Sequence, residues 1–136
     1  MTDAPAFLVV DDNENNRYTL VKRLRREGYS NVAVAEDGRS ALHRLAERNF
    51  DLVLLDVMMP HMSGYEVLER MRADPRMREV PVNVVSALDE LQSAVRCIEA
   101  GAEDYLPKPI NAVLARGRVF EQASRRSACG RKRCAS

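Results

Sequence analysis

The most informative run in the chain is Asp51-Leu52-Val53-Leu54-Leu55-Asp56-Val57-Met58-Met59-Pro60. The four consecutive apolar residues from Leu52 to Leu55 indicate a strand buried on both faces, as in a parallel sheet. Asp56 follows where this strand ends, and Pro60 favours a turn just beyond it. Because ligands of open α/β sheets bind outside the carboxyl ends of the strands, Asp56 is placed for chemistry. An Asp that only caps the next turn would give the same local pattern.

The rest of the chain alternates strand and helix patterns in the same way. Further strands are predicted at 6–10, 31–35, 81–85 and 104–106. Helical spacing of apolar residues predicts helices at 16–27, 40–48, 88–100 and 111–124. A further helix is predicted to begin at Ser63-Gly64 and to end at Asp74-Pro75. In the fourth helix, Leu91, Ala94, Val95 and Ile98 lie on one side, and Gly101 ends the helix. Five strands alternating with five helices predict a doubly wound parallel sheet covered on both faces.

The composition is that of one globular domain. A chain of 136 residues with 46% hydrophobic and 30% charged residues can form one core but not two. No apolar run approaches the ~20 residues that span a bilayer, so we expect a cytoplasmic protein without a membrane partner. Three cysteines without a CxxC pair predict reduced thiols rather than a disulfide framework or a zinc site.

Charge is distributed unevenly along the chain. Residues 1–110 carry 14 Lys/Arg and 19 Asp/Glu, net −5, whereas residues 111–136 carry 7 Lys/Arg and 1 Asp/Glu, net +6. We therefore divide the chain into a folded domain at 1–124 and a basic tail at 125–136, which we expect to be disordered. The arginines of this tail could contact nucleic acid or an acidic partner. A solvated end is favoured over nucleic-acid binding because the tail has no aromatic residues.

Chemically active side chains gather at the carboxyl edge of the predicted sheet. Asp11 and Asp12 follow the first strand, Asp56 the third and Ser86 the fourth, and Lys108 comes just after the fifth. Parallel strands place these ends on the same side, so the residues can converge. Three crowded carboxylates repel one another unless a cation lies among them, and oxygen ligands of this kind suit Mg²⁺. With a lysine and a hydroxyl added, the set can bind a dianionic phosphoryl group while one Asp acts as nucleophile.

Over about residues 6–120, the chain resembles the receiver domain of two-component response regulators. Five pieces carry the resemblance: Leu8-Val9-Val10-Asp11-Asp12-Asn13-Glu14, Leu54-Leu55-Asp56-Val57-Met58-Met59-Pro60, Gly64, Val84-Val85-Ser86-Ala87 and Leu106-Pro107-Lys108-Pro109. Each piece alone is weak, but all five in order and at the right strand ends form a strong signal. The resemblance implies a flavodoxin-like sheet with strand order 2-1-3-4-5.

The resemblance also implies a metal site around the phosphoacceptor. Asp56 resembles the residue that accepts the phosphoryl group and is also one of the implied metal ligands. Asp12 resembles a direct Mg²⁺ ligand, and Asp11 a ligand that acts mainly through water. The backbone carbonyl of Met58 resembles the third protein contact to the metal. Mg²⁺ is thus the implied cofactor.

Three further residues resemble the family's conformational switch. Ser86 resembles the hydroxyl that moves to bind the phosphoryl group, and Lys108 resembles its counter-charge, followed by a cis bond to Pro109. Tyr105 resembles the aromatic residue that turns inward when Ser86 moves. A tyrosine half-buried for packing alone would fit the sequence of Tyr105 equally well.

The implied function is signalling. A histidine kinase or a phosphotransfer protein would donate the phosphoryl group, and a downstream output protein would read the change. The domain would act as a monomer or as a phosphorylation-dependent dimer, with no enzyme activity beyond its own phosphorylation and dephosphorylation. Three alternatives stay open: a receiver cut from a longer multidomain regulator, an Asp-nucleophile phosphatase, and a nucleic-acid binder that works through the tail. The phosphatase is disfavoured because such enzymes typically carry a second acid at the position of Met58.

Two positions, Asn83 and Met58, depart from the family's pattern. A histidine, His61, also lies near the site. Asn83 places an amide inside the fourth strand, where an unsatisfied buried amide costs about 1–3 kcal/mol, so we predict that it destabilises the fold. Met58 is apolar where some relatives carry a polar group that can hold water, which predicts slow loss of the phosphoryl group. His61 lies in the loop beside the site and is interpreted as an exposed loop residue.

Overall fold

The computed structural model describes residues 5–107, which form a five-stranded parallel sheet. The strands are β1 (Phe7–Val10), β2 (Val32–Ala35), β3 (Leu52–Asp56), β4 (Val82–Ser86) and β5 (Asp104–Pro107). Their order across the sheet is β2-β1-β3-β4-β5, and every neighbouring pair is parallel. The strand order implied by the sequence is confirmed.

Four α-helices connect the strands within the described residues. They are α1 (Glu14–Arg26), α2 (Gly38–Glu47), α3 (Gly64–Ala73) and α4 (Leu91–Glu99). A short 3₁₀ helix at Leu88–Glu90 precedes α4, so the helix predicted at 88–100 begins with a tighter turn. The predicted fifth helix at 111–124 and the tail at 125–136 lie outside the described residues. Within residues 5–107, no helix is long and apolar enough to cross a membrane.

Apolar side chains pack on both faces of the sheet. The larger core joins one face to α2, α3 and α4 through residues such as Leu45, Leu68 and Ala94. The other face packs against α1 through Leu20 and Leu24. All five residues of β3 are buried, as a central strand covered on both sides requires. The apolar run that decides the fold is therefore the centre of the molecule.

The apolar side of α4 is only partly buried. Ala94 and Cys97 are buried, whereas Leu91, Val95 and Ile98 are 49%, 49% and 41% exposed. The small side chains of Ala94 and Cys97 lie one helical turn apart and form the packing surface, so the larger apolar residues lie to one side of it. Burial raises the pKa of the Cys97 thiol to about 11, which keeps this cysteine protonated.

Asn83 lies in the middle of β4 with its side chain wholly buried. It pairs in register with Leu54 on β3 and Asp104 on β5. Neither its amide nitrogen nor its amide oxygen has a hydrogen-bond partner in the part of the chain that the structure describes. The amide has thus lost its bonds to water without replacement, which is the physical basis for expecting it to destabilise the domain.

We predict that Asn83→Val raises the free energy of unfolding by about 1–3 kcal/mol, because it removes the unsatisfied amide. The melting temperature, measured by thermal unfolding, should rise by several degrees. Asn15→Val is the matched control, since Asn15 is exposed on α1 and the two residue types have similar helix propensities. An unchanged or lower melting temperature for Asn83→Val would show that the amide does not destabilise the fold.

Candidate functional site

Three carboxylates meet at the carboxyl edge of the sheet, where β1 and β3 are neighbours. Asp11 directly follows β1 and Asp56 ends β3, and each is only 2% exposed. Asp12, the next residue after Asp11, is exposed. One carboxylate oxygen of each residue lies within 4.8 Å of the others. The structure thus brings together the three acidic residues that the sequence predicted at this edge.

The donor set of this cluster fits Mg²⁺. Mg²⁺ binds oxygen ligands at about 2.0–2.1 Å, so ligands on opposite sides of the ion are about 4.2 Å apart. Carboxylate oxygens within 4.8 Å of one another need only a small movement to reach that spacing. The cluster holds carboxylates alone, without the thiolates or imidazoles that zinc prefers. Exposure of Asp12 leaves room for the water ligands that Mg²⁺ retains.

The turn between β1 and α1 holds Asp11 by its side chain and by its main chain. The Asn13 N–H donates to Asp11 Oδ1 at 2.9 Å, and the Asn13 side chain caps α1 by accepting from the Asn16 N–H at 3.1 Å. Arg17 Nη1 donates to the main-chain oxygen of Asp11 at 2.7 Å. Neither of these roles was predicted from the sequence. An Asn directly before a helical pattern is an N-cap signal, but no sequence signal marks the contact of Arg17.

Gly64, the first residue of α3, packs directly against the end of β3. Its N–H donates to the Val57 carbonyl at 2.8 Å. A Cβ at this position would lie 2.5 Å from the Asp56 oxygen and 2.9 Å from the Val57 Cα. Any side chain here would therefore displace the main chain that carries Asp56. The spacing from Asp56 to Gly64 thus reflects a close contact between the strand and the helix.

Ser86 ends β4 and lies beside the acidic cluster in the sheet, since β4 is the neighbour of β3. It is wholly buried, and among the described residues its Oγ has no hydrogen-bond partner. Most buried polar groups are hydrogen-bonded, so a buried hydroxyl without a partner is suited to a bond made only when another group enters. Tyr105 on β5 pairs in register with Val84, is partly buried and packs against the larger core.

Of the three remaining predicted residues, the structure describes Met58 and His61 but not Lys108. Lys108 directly follows Pro107, which pairs in register with Ser86, but Lys108 itself lies outside the described residues. The Met58 side chain is 52% exposed, and the metal-binding role of its carbonyl stays a prediction. His61 is an exposed loop residue, as expected, with a left-handed backbone at φ 69°.

Known proteins of one family resemble this chain in sequence and fold. A family model described as the response regulator receiver domain matches residues 7–119. The response regulator PleD of Caulobacter vibrioides is 39% identical over 135 residues, which cover 93% of this chain and 30% of PleD. The chemotaxis protein CheY of Pseudomonas aeruginosa is 35% identical over 113 residues, which cover 83% of this chain and 91% of CheY.

A solved structure shows the same architecture. The signal receiver domain of a signal transduction histidine kinase from Syntrophus aciditrophicus matches with a TM-score of 0.80 at 30% identity, covering 89% of this chain and 91% of that domain. The chain spans less than a third of the length of PleD, so PleD is much longer than the domain described above. The family match begins at the start of β1 and runs past the end of β5. The chain belongs to the response-regulator receiver domain family of two-component signalling.

Proposed function

We propose that Asp56 accepts a phosphoryl group in a Mg²⁺-dependent reaction and that a conformational change carries the signal to a protein partner. The observation that carries this proposal is the cluster of Asp11, Asp12 and Asp56 carboxylates at the carboxyl edge of the sheet. The buried, unpartnered hydroxyl of Ser86 on the adjacent strand supports the conformational part of the proposal.

The proposed chemistry is transfer from a phosphohistidine to a carboxylate. Asp56 attacks the phosphorus, a P–O bond forms as the P–N bond breaks, and the imidazole of the donor leaves. Asp11, Asp12, Asp56 and the Met58 carbonyl would hold the Mg²⁺ ion, which would supply positive charge against the phosphoryl oxygens. Lys108 would add a second positive charge. The product is an acyl phosphate, which the domain slowly hydrolyses.

The proposed signal starts at Ser86. A new dianion on Asp56 gives the buried Ser86 hydroxyl the hydrogen-bond partner that it lacks in the described structure. Movement of Ser86 towards the phosphoryl group opens space beside β5, and Tyr105 turns inward to fill it. The surface of α4 and β5 changes as a result, and a downstream output protein binds the changed surface.

The proposed donor is a histidine kinase or a phosphotransfer protein. Because the chain covers only 30% of PleD, a receiver within a longer regulator remains a variant of the same proposal. The alternative of an Asp-nucleophile phosphatase has less support. The position two residues after Asp56, where such enzymes carry a second acid, holds the half-exposed Met58.

We predict that Mg²⁺ with beryllofluoride, a stable mimic of the phosphoryl group, shifts the amide resonances of Ser86 and Tyr105 in the wild type. Asp56→Ala should show neither shift, because the mimic has lost its anchoring carboxylate. Asp74→Ala is the control, since it removes a carboxylate that follows the C-terminal end of α3, away from the cluster. Wild-type spectra that do not respond, or a response that persists in Asp56→Ala, would contradict the proposal.

We predict that Met58→Asn shortens the lifetime of the acyl phosphate. A polar side chain at this half-exposed position can hold the attacking water, whereas the methionine cannot. We expect decay to be about two- to tenfold faster, a small part of the 10²–10⁴ that a positioned proton-transfer group supplies. Loss of the phosphoryl group after removal of the donor gives the rate. Met58→Leu should keep the wild-type lifetime, and equal lifetimes for Met58→Asn and wild type would refute the idea.

A further inference from the structure

We infer that Arg17 is a positioning residue for the Mg²⁺ site, because it holds the peptide that joins Asp11 to Asp12. This inference rests on the proposed function, since it concerns how the chain prepares the acidic cluster for the ion. Arg17 need not touch the ion or the phosphoryl group for this role. It acts through the main chain of the turn between β1 and α1.

Both the main chain and the side chain of Arg17 donate a hydrogen bond to this turn. It is the fourth residue of α1, and its N–H donates to the Asn13 carbonyl at 3.0 Å. Its side chain, which is partly buried, reaches back so that Nη1 donates to the Asp11 carbonyl at 2.7 Å. The guanidinium thus closes a loop from the end of β1 to the first turn of α1. A short hydrogen bond from a charged donor is stronger than a neutral one.

The bonded carbonyl belongs to the peptide group whose nitrogen is that of Asp12. A peptide group is planar, so holding its oxygen sets the orientation of the whole plane and the direction in which the Asp12 side chain leaves the backbone. Asp12 is the one exposed member of the cluster, so packing holds its carboxylate least. Asp11 is buried and also accepts a bond from the Asn13 N–H. The contribution of Arg17 therefore falls mainly on Asp12.

Arg17 exerts two effects of opposite sign on Mg²⁺ binding. Its permanent positive charge near the acidic cluster repels a second cation and lowers the affinity. Its bond to the Asp11 carbonyl orders the ligands, and removal of such outer partners typically weakens metal binding by about 10- to 100-fold. If charge dominates, removal of the guanidinium tightens Mg²⁺ binding; if positioning dominates, removal weakens it. The sign of the change separates the two roles.

The test is a Mg²⁺ titration of the full chain, followed by the amide resonances of Asp12 and Asn13. Arg17→Met keeps an unbranched apolar stem but removes the charge and the donors, and we expect it to bind Mg²⁺ about tenfold more weakly. Arg17→Lys keeps the charge with a single-point donor and should be intermediate. Arg25→Met removes a similar charge from the exposed face of α1 and should bind like wild type.

Arg17→Met binding Mg²⁺ as tightly as wild type, or more tightly, would overturn the inference. If Arg17→Met does not fold, Arg17→Lys decides, because it keeps the charge: weaker binding supports positioning, and wild-type affinity excludes it. A wild-type protein that does not bind Mg²⁺ would remove the proposed metal site and this inference together. Failure of the metal site can be distinguished from failure of the Arg17 inference alone, because it is seen in the wild-type protein without any substitution.

Discussion

The mutual repulsion of Asp11, Asp12 and Asp56 is the constraint on which the site depends. Their carboxylate oxygens lie within 4.8 Å of one another, and like charges at that distance raise the free energy of the folded state unless positive charge is close. Continuous pairing of β1 with β3, from Phe7 opposite Leu52 to Val10 opposite Leu55, holds the strand ends together. A cation bound to the cluster would relieve this repulsion and would thereby stabilise the fold.

The two edges of the sheet differ in how fully their polar groups are satisfied. At the amino edge, Arg72 donates to the carbonyls of Arg78, Val80 and Gly101 at 2.6, 3.0 and 2.8 Å, which ties α3 to the segments that enter β4 and β5. At the carboxyl edge, within the described residues, the Ser86 hydroxyl has no partner. One buried hydroxyl beside the acidic cluster is therefore left without a hydrogen bond among the described residues.

The fold and the acidic cluster could be predicted because they depend on short-range patterns. Apolar runs that end in carboxylates mark strands of a parallel sheet, and the topology then brings Asp11, Asp12 and Asp56 to one edge. The sequence identified the apolar side of α4 but not how much of it is covered. Of Leu91, Ala94, Val95 and Ile98, only Ala94 is buried, because hydrophobic spacing does not show which part of an apolar side packs against the sheet.

Other features could not be predicted from the sequence because they depend on contacts between segments that are brought together only by tertiary packing. The bond from Arg17 to the Asp11 carbonyl depends on how α1 enters after the turn, and exposed arginines elsewhere on α1 carry the same local signal. The need for Gly64 was visible only as a spacing, whereas the structure gives its cause in the 2.5 Å approach to the Asp56 oxygen. Asn83 was recognisable as unusual, but its lack of partners required the structure.

The central claim is that Asp56 is the residue that receives the phosphoryl group. Its most direct test is mass spectrometry of the protein after incubation with acetyl phosphate, with and without Mg²⁺, followed by proteolysis to locate the modification. We expect one added phosphoryl group per chain, on the peptide that contains Asp56 and only when Mg²⁺ is present. A phosphoryl group on another residue, or none on the folded wild-type protein, would contradict it.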